Sequence, residues 1–283
     1  MDRNGGLIAF GIVQILIGIV CAMFVLGVVA SSELAARSGV LRGSVGTLIF
    51  AYGLVAVHFI TCGIGSIRAR RWARAMSAAV AALWLAGGIV ATISTATIVP
   101  KLIPHSPLIT LTVVVFFLFI ALPLAIFAFY ARADVRATCE RRDPKTRWTD
   151  RVPVAVLAVV IVMAFAAGWL LVNMSAPMLP LFGTILTGAP AALALLALAA
   201  LCGFLAVQLY RLKESAWWTL VLLQIGGCAV AAASMARTPG PIYRDPVVWT
   251  IVIATWIGYL TFLIYLRRYF AGGRSRPRVV EAT

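Results

Sequence analysis

The residues able to do acid–base, metal or redox chemistry are few and scattered. The chain has two histidines, His58 and His105, and five cysteines, Cys21, Cys62, Cys139, Cys202 and Cys228. A metal needs three or four converging ligands, and no Cys or His pair stands at ligand spacing. Haem held by two imidazoles across a membrane needs a second buried histidine, which the sequence lacks. The nine acids, Asp2, Glu33, Asp134, Glu140, Asp143, Asp150, Glu214, Asp245 and Glu281, all lie outside the long apolar runs. Proton transfer inside those runs would fall to His58 or a hydroxyl. There is no Gly-x-Ser-x-Gly, P-loop, dinucleotide-binding glycine set or His-Glu-x-x-His. The expectation is a chain with free thiols, no cofactor, no metal and no catalytic residues.

The elements that would carry these residues are apolar helices. Hydrophobic residues make up 63% of the 283, charged residues 12%, and mean hydropathy is +1.02. Soluble domains average about 45–50% apolar and about 25% charged, so this composition belongs to a polytopic membrane protein. Runs near 20 residues, the length that crosses about 30 Å of hydrocarbon as a helix, occur at 6–30, 44–67, 75–97, 107–130, 152–173, 190–210, 216–236 and 246–267. The first is too long for the 7–15-residue core of a signal peptide and is read as a span. The fold class is therefore all-α, a bundle of about eight transmembrane spans.

Charge sets the expected orientation. Placing the N-terminus inside puts 19 of the 24 Lys and Arg residues on the cytoplasmic side, against five outside. Both termini are then cytoplasmic in a plasma (inner) membrane. Trp72, Trp148, Trp217 and Trp218 fall at the inner interface, and Trp169 and Trp249 near the outer one, where amphipathic rings belong. Arginine outnumbers lysine 21 to 3 and alanine is abundant, which points to a prokaryotic, GC-rich source.

At an offset of 139 residues, Gly87-Gly88 maps onto Gly226-Gly227, Pro100 onto Pro239, Pro107 onto Pro246 and Tyr130 onto Tyr269. This matching punctuation predicts two parallel four-helix units, 1–130 and 152–270. Residues 131–151 form a charged cytoplasmic linker, read as a solvated loop or short surface helix. Residues 271–283 form a basic, disordered tail.

Gly11, Gln14 and Gly18 share one face of the first span, so a close helix approach there would bury the Gln amide. Gly63, the Gly87-Gly88 pair, Gly203 and the Gly226-Gly227 pair extend the expectation of helix packing to other spans. Pro123, mid-way along the fourth span, should kink it. Gly11-x-x-Gln14-Ile15-x-x-Gly18, with Phe59-x-x-x-Gly63-x-x-Ser66-Ile67 before a short basic turn, resembles the first two spans of the CD20-like four-span family. That resemblance covers about a quarter of the chain, and two tandem units would depart from it.

Residues 174–190 are uncharged, largely apolar, and broken by three prolines and two glycines. Such a loop should avoid open water by lying in the interface, re-entering the membrane or packing against another protein chain, so it is the candidate partner surface. Arg68, Arg70, Arg71, Arg74, Arg267 and Arg268 are the candidate contacts to anionic lipid headgroups. The expected function is that of a non-catalytic membrane protein acting by helix packing, as an accessory or assembly subunit or a lipid-contacting scaffold, with no nucleic-acid role. The alternative is an uncoupled transporter or channel for neutral or lipophilic molecules, with a polar cavity built on His58 and Gln224 and on Gln14, Asn173 and Gln208.

Overall fold

A computed structural model describes residues 4–37, 42–102, 107–238 and 244–270. The basic tail 271–283 and His105 lie outside them. Ten helices follow in order: α1 (Asn4–Arg37), α2 (Arg42–Ile67), α3 (Arg71–Leu102), α4 (Leu108–Phe116), α5 (Leu122–Tyr130), α6 (Ala133–Arg142), α7 (Val154–Val172), α8 (Gly188–Tyr210), α9 (Glu214–Arg237) and α10 (Pro246–Phe270). With α4 and α5 counted as one span, the described residues hold eight helices long and apolar enough to cross a membrane. Their outward faces carry alkyl and aromatic groups, such as Ile12, Leu16 and Val20 of α1 and Leu222 and Ile225 of α9, which suits a hydrocarbon solvent. Successive spans alternate in direction. One end of the bundle, the linker face, carries residues 131–153, and the other carries the 174–190 connection.

Close packing starts where glycine removes the side chain. A Cβ on Gly11 would stand 2.8 Å from the Gly63 carbonyl oxygen, and one on Gly63 would stand 2.6 Å from the Gly11 oxygen. Two turns along, a Cβ on Gly18 would lie 2.9 Å from the Ala56 oxygen. The α1 and α2 backbones therefore touch along a shared stripe. In hydrocarbon, such contact supplies dispersion energy that water exclusion does not.

The fourth span does not simply kink. A π turn, Phe117–Ala121, joins α4 to α5, and Pro123 follows within the first turn of α5. Proline has no N–H, so the carbonyl four residues back, that of Phe119, loses its α-helical donor. A wider turn absorbs the mismatch. The freed oxygen faces Gly88 of α3, whose backbone it approaches so closely that a Cβ there would overlap it.

α3 is the central strut. Ala78 and Ala81 join Leu7, Ile126, Tyr130, Val135 and Cys139 in one buried cluster. Ala75 and Ala79, on another face of the same helix, join Leu157, Leu205, Trp217, Leu263 and Leu266 in a second. Trp217 also donates its indole N–H to the Leu263 carbonyl at 2.8 Å, fastening α9 to α10. On the far face, Lys101 at the end of α3 pairs with Asp245 before α10.

The fold also contains a small sheet that an all-helical reading omits. Strands β1 (Met178–Leu181) and β2 (Thr184–Thr187) pair antiparallel, with Met178 opposite Thr187 and Leu181 opposite Thr184. Phe182 and Gly183 form the two-residue turn at φ of 52° and 82°, the geometry that matches strand twist. Arg237 of α9 donates to the Phe182 carbonyl at 2.7 Å and fastens the turn to the bundle. Pairing satisfies the backbone groups that face the partner strand and leaves each strand an open outer edge.

Candidate functional site

The most ordered polar chemistry lies between the first four spans. Gln14 of α1 is 1% exposed and donates its amide to Ser77 of α3 at 2.9 Å. Its carbonyl accepts from the Tyr130 phenol of α5 at 3.4 Å. The Tyr130 and Ser66 hydroxyls are 2.6 Å apart, and Ser66 of α2 donates to the Leu7 carbonyl at 3.1 Å. Four side chains from four spans thus form one buried hydrogen-bonded clasp, in which the Ser66 and Tyr130 hydroxyls share two hydrogens among three contacts.

On either side of α3 lies an apolar groove. One, of about 810 Å³, is walled by α3, α5, α7 and α10, and runs from Arg74 past Ala78, Ala82 and Ala86 to Gly87, facing Ala158 and Phe262. The other, of about 760 Å³, lies between α2, α3 and α7, among Phe50, His58, Val80, Leu157 and Phe165. Both are lined mainly by alkyl and aromatic groups. Dispersion and shape govern what such walls hold.

The linker is folded onto the bundle and is not merely solvated. Val135, Thr138 and Cys139 of α6 are buried, as is Asp143. The Asp143 carboxylate takes two bonds from Arg147, at 3.0 and 3.2 Å, with Arg70 at 3.7 Å. The Arg147 hydrogen bond holds the Asp143 carboxyl below its usual range, against the cost of burial. Glu140 accepts from Arg136 at 2.8 Å and pairs with Arg71 at 3.3 Å, and its carboxyl is likewise held down, first by Arg136. Arg71 also reaches Asp150 at 3.7 Å. Burial pushes the Cys139 thiol up to about 11.

The structure redistributes the residues singled out by sequence. Gly11, Gly18, Gly63 and Gly88 stand at backbone contacts. Gly87, Gly203, Gly226 and Gly227 do not, because nothing lies within 4 Å of a Cβ built on any of them. Small-residue spacing identifies a face of a helix but not whether a neighbour meets it, and Gly87 borders a groove instead. His58 and Gln224 do not share a cavity. The His58 ring meets Cys62 Sγ at 3.6 Å and the edge of Phe59, whereas Gln224 donates to Cys228 within α9. Gln14 belongs to the clasp, and Asn173 is bonded to Trp169 and Thr47 near the hairpin. These polar groups do not converge.

Among the candidate headgroup arginines, Arg70 and Arg71 are engaged by linker carboxylates. Arg267 lies 5.7 Å from the centroids of Trp217 and Trp218, Arg268 lies over Tyr265 and Tyr269, and Arg68 is exposed. Arg74 is half-buried and lies at the mouth of the larger groove. In the sequence Arg74 is one of six candidate headgroup arginines, and what sets it apart there is the four-residue recurrence Arg74, Ala78, Ala82, Ala86, one charged residue above a smooth stripe.

Comparison of the chain with protein-family models, with curated proteins and with solved structures found no match. In this chain Gly11 and Gly63 build the α1–α2 backbone contact, and Gln14 and Ser66 each bond Tyr130 in the clasp.

Proposed function

We propose that this chain is a non-catalytic multi-pass membrane protein that acts through helix packing, as a lipid-contacting scaffold or assembly subunit. The observation that carries this reading is the buried Ser77–Gln14–Tyr130–Ser66 clasp: the most buried polar side chains of the first four spans bond to one another and tie the unit together. A fixed, mainly apolar exterior is what neighbouring helices and acyl chains pack against.

Further features fit the reading. The outward hairpin face, with Met178 61% and Ile185 67% exposed, offers a surface to a partner membrane protein. Arg68, Arg267 and Arg268 lie at the linker face, where anionic headgroups would meet them in a plasma (inner) membrane with both termini cytoplasmic. The pairing of α1 with α2 and of α7 with α8 in the same order agrees with two parallel four-helix units. Native mass spectrometry of the full chain, gently extracted from its own membrane, tests the proposal. A stoichiometric protein partner is the expected result. Specific solute flux in proteoliposomes, or turnover abolished by His58→Ala, would overturn it.

The second reading, an uncoupled carrier of lipophilic molecules, draws on the two apolar grooves flanking α3. It predicts transfer of a lipophilic tracer between leaflets that vanishes when both grooves are filled.

A further inference from the structure

The larger groove is not uniform along its length. Its walls are mainly alkyl and aromatic groups, with Thr255 and Tyr259 on the α10 side, and Arg74 lines its linker end. Arg74 donates to the Tyr130 carbonyl at 3.5 Å, and among the described residues no carboxylate lies within ion-pairing distance of it. The nearby acids are taken: Glu140 by Arg136 and Arg71, Asp150 by Arg71, and Asp143 by Arg147 and Arg70. A half-buried cation near the linker end of its span, with Asp150 and Glu140 close by but paired to other arginines, is complementary to an anion supplied from outside the protein.

The dimensions narrow the kind of anion. Thirteen residues of helix separate Arg74 from Gly87, which at 1.5 Å per residue is roughly 20 Å. One leaflet of hydrocarbon is about 15 Å deep. A ligand filling this groove therefore has a long apolar tail and one anionic head, with the head at Arg74. The alanines at 78, 82 and 86 leave a smooth channel where larger residues would fill it. We infer that the α3–α5–α7–α10 groove is a binding site for an anionic phospholipid of the linker-side leaflet, its phosphate on Arg74 and one acyl chain along the alanine stripe. This deepens the lipid-contacting reading above and rests on it.

The test uses the full chain in nanodiscs of phosphatidylcholine doped with phosphatidylglycerol, ejected intact into a native mass spectrometer. Wild type should retain phosphatidylglycerol above its share of the disc. Arg74→Gln should lower that enrichment roughly five-fold, the ratio equivalent to ~1 kcal/mol for one well-placed basic group, and Arg74→Lys should restore most of it. Ala82→Phe, which leaves the charge and fills the channel, should also abolish the enrichment. Arg211→Gln, an exposed cation on the same face but outside the groove, should leave it unchanged. Retention of phosphatidylglycerol by wild type at no more than its share of the disc would overturn the site, as would an Arg211→Gln loss matching that of Arg74→Gln, or full enrichment in Ala82→Phe. Solute flux would instead overturn the scaffold reading, so the two failures are separable.

Discussion

Pro123 and Gly88 sit on different spans and complete one another. The proline deprives the Phe119 carbonyl of its helical donor, and the glycine leaves room for that oxygen against α3. Gly88→Ala should therefore cost about 1–3 kcal/mol, the usual penalty of overpacking a tight contact. Pro123→Ala restores the missing donor and lets the π turn relax toward α-helix. The double variant should be more stable than the sum of the single losses predicts. Thermal melting in detergent measures all three, and a neutral Gly88→Ala would show that the two spans do not meet this closely.

Tyr130→Phe removes the hydroxyl shared by Ser66 and Gln14 and keeps the ring edge-to-face with Phe10 and Phe129. The expected loss is about 1–2 kcal/mol, since two buried partners each lose a bond. Ser77→Ala, which strands the Gln14 amide, should cost a similar amount. Additive losses in the pair would mean that the clasp is not one network.

The docked linker should loosen in acid. Asp143 and Glu140 have carboxyls held below their usual values in the folded state. Their contribution is present in full above the ordinary carboxylate range and disappears as pH falls through their lowered folded values. Acid-stable pepsin should cut within 131–151 faster on that descent, while the spans stay protected. In Asp143→Asn, trypsin at neutral pH should cut after Arg141, Arg142 or Lys145 several-fold faster than in wild type. No change in either case would place the ion pairs outside what holds the linker down.

Cys139 should be silent to maleimide at pH 8. Burial raises its thiol to about 11, so little thiolate exists there, and Val135 and Thr138 close around it. Labelling should appear on unfolding, or on opening of the linker in Asp143→Asn. Rapid labelling of the native chain would argue that α6 does not rest on the bundle.

The hairpin depends on a bulky residue in a conformation that favours glycine. Phe182→Gly should tighten the turn, and Arg237→Ala should loosen it by removing the donor to the Phe182 carbonyl. Hydrogen exchange at Thr184 and Ile185 reports both. Identical protection in the two variants would mean that the turn is fixed by its strands alone.

The spans were legible because length and hydropathy are properties of each segment alone, and the helix bounds fall close to the apolar runs. The Gln14 face was legible too, since Gly11 and Gly18 flank it at helical spacing. Its partners were not: Ser77 and Tyr130 are 63 and 116 residues away, and nothing local marks them. The same limit hid the hairpin, whose Phe182-Gly183 turn lacks the usual Asn-Gly signature. It also made Gly203, Gly226 and Gly227 look like contacts when they face open space. Arg74 was visible as a charge, but its distinction comes from which neighbours already hold the acids.

The two sides of α3 bear on how the chain is built. As synthesis proceeds from the N-terminus, α3 enters the membrane well before α7 and α10 exist, so its face for them must wait among lipid tails. That face is Ala75, Met76, Ala79 and Leu83, which hydrocarbon tolerates without penalty. Ser77, which hydrocarbon does not favour, looks back to Gln14 on a helix already inserted. On α3 the polar Ser77 faces a helix made earlier and the apolar stripe faces helices made later, so the Ser77 hydroxyl need not wait unpaired in lipid while the later spans are still on the ribosome.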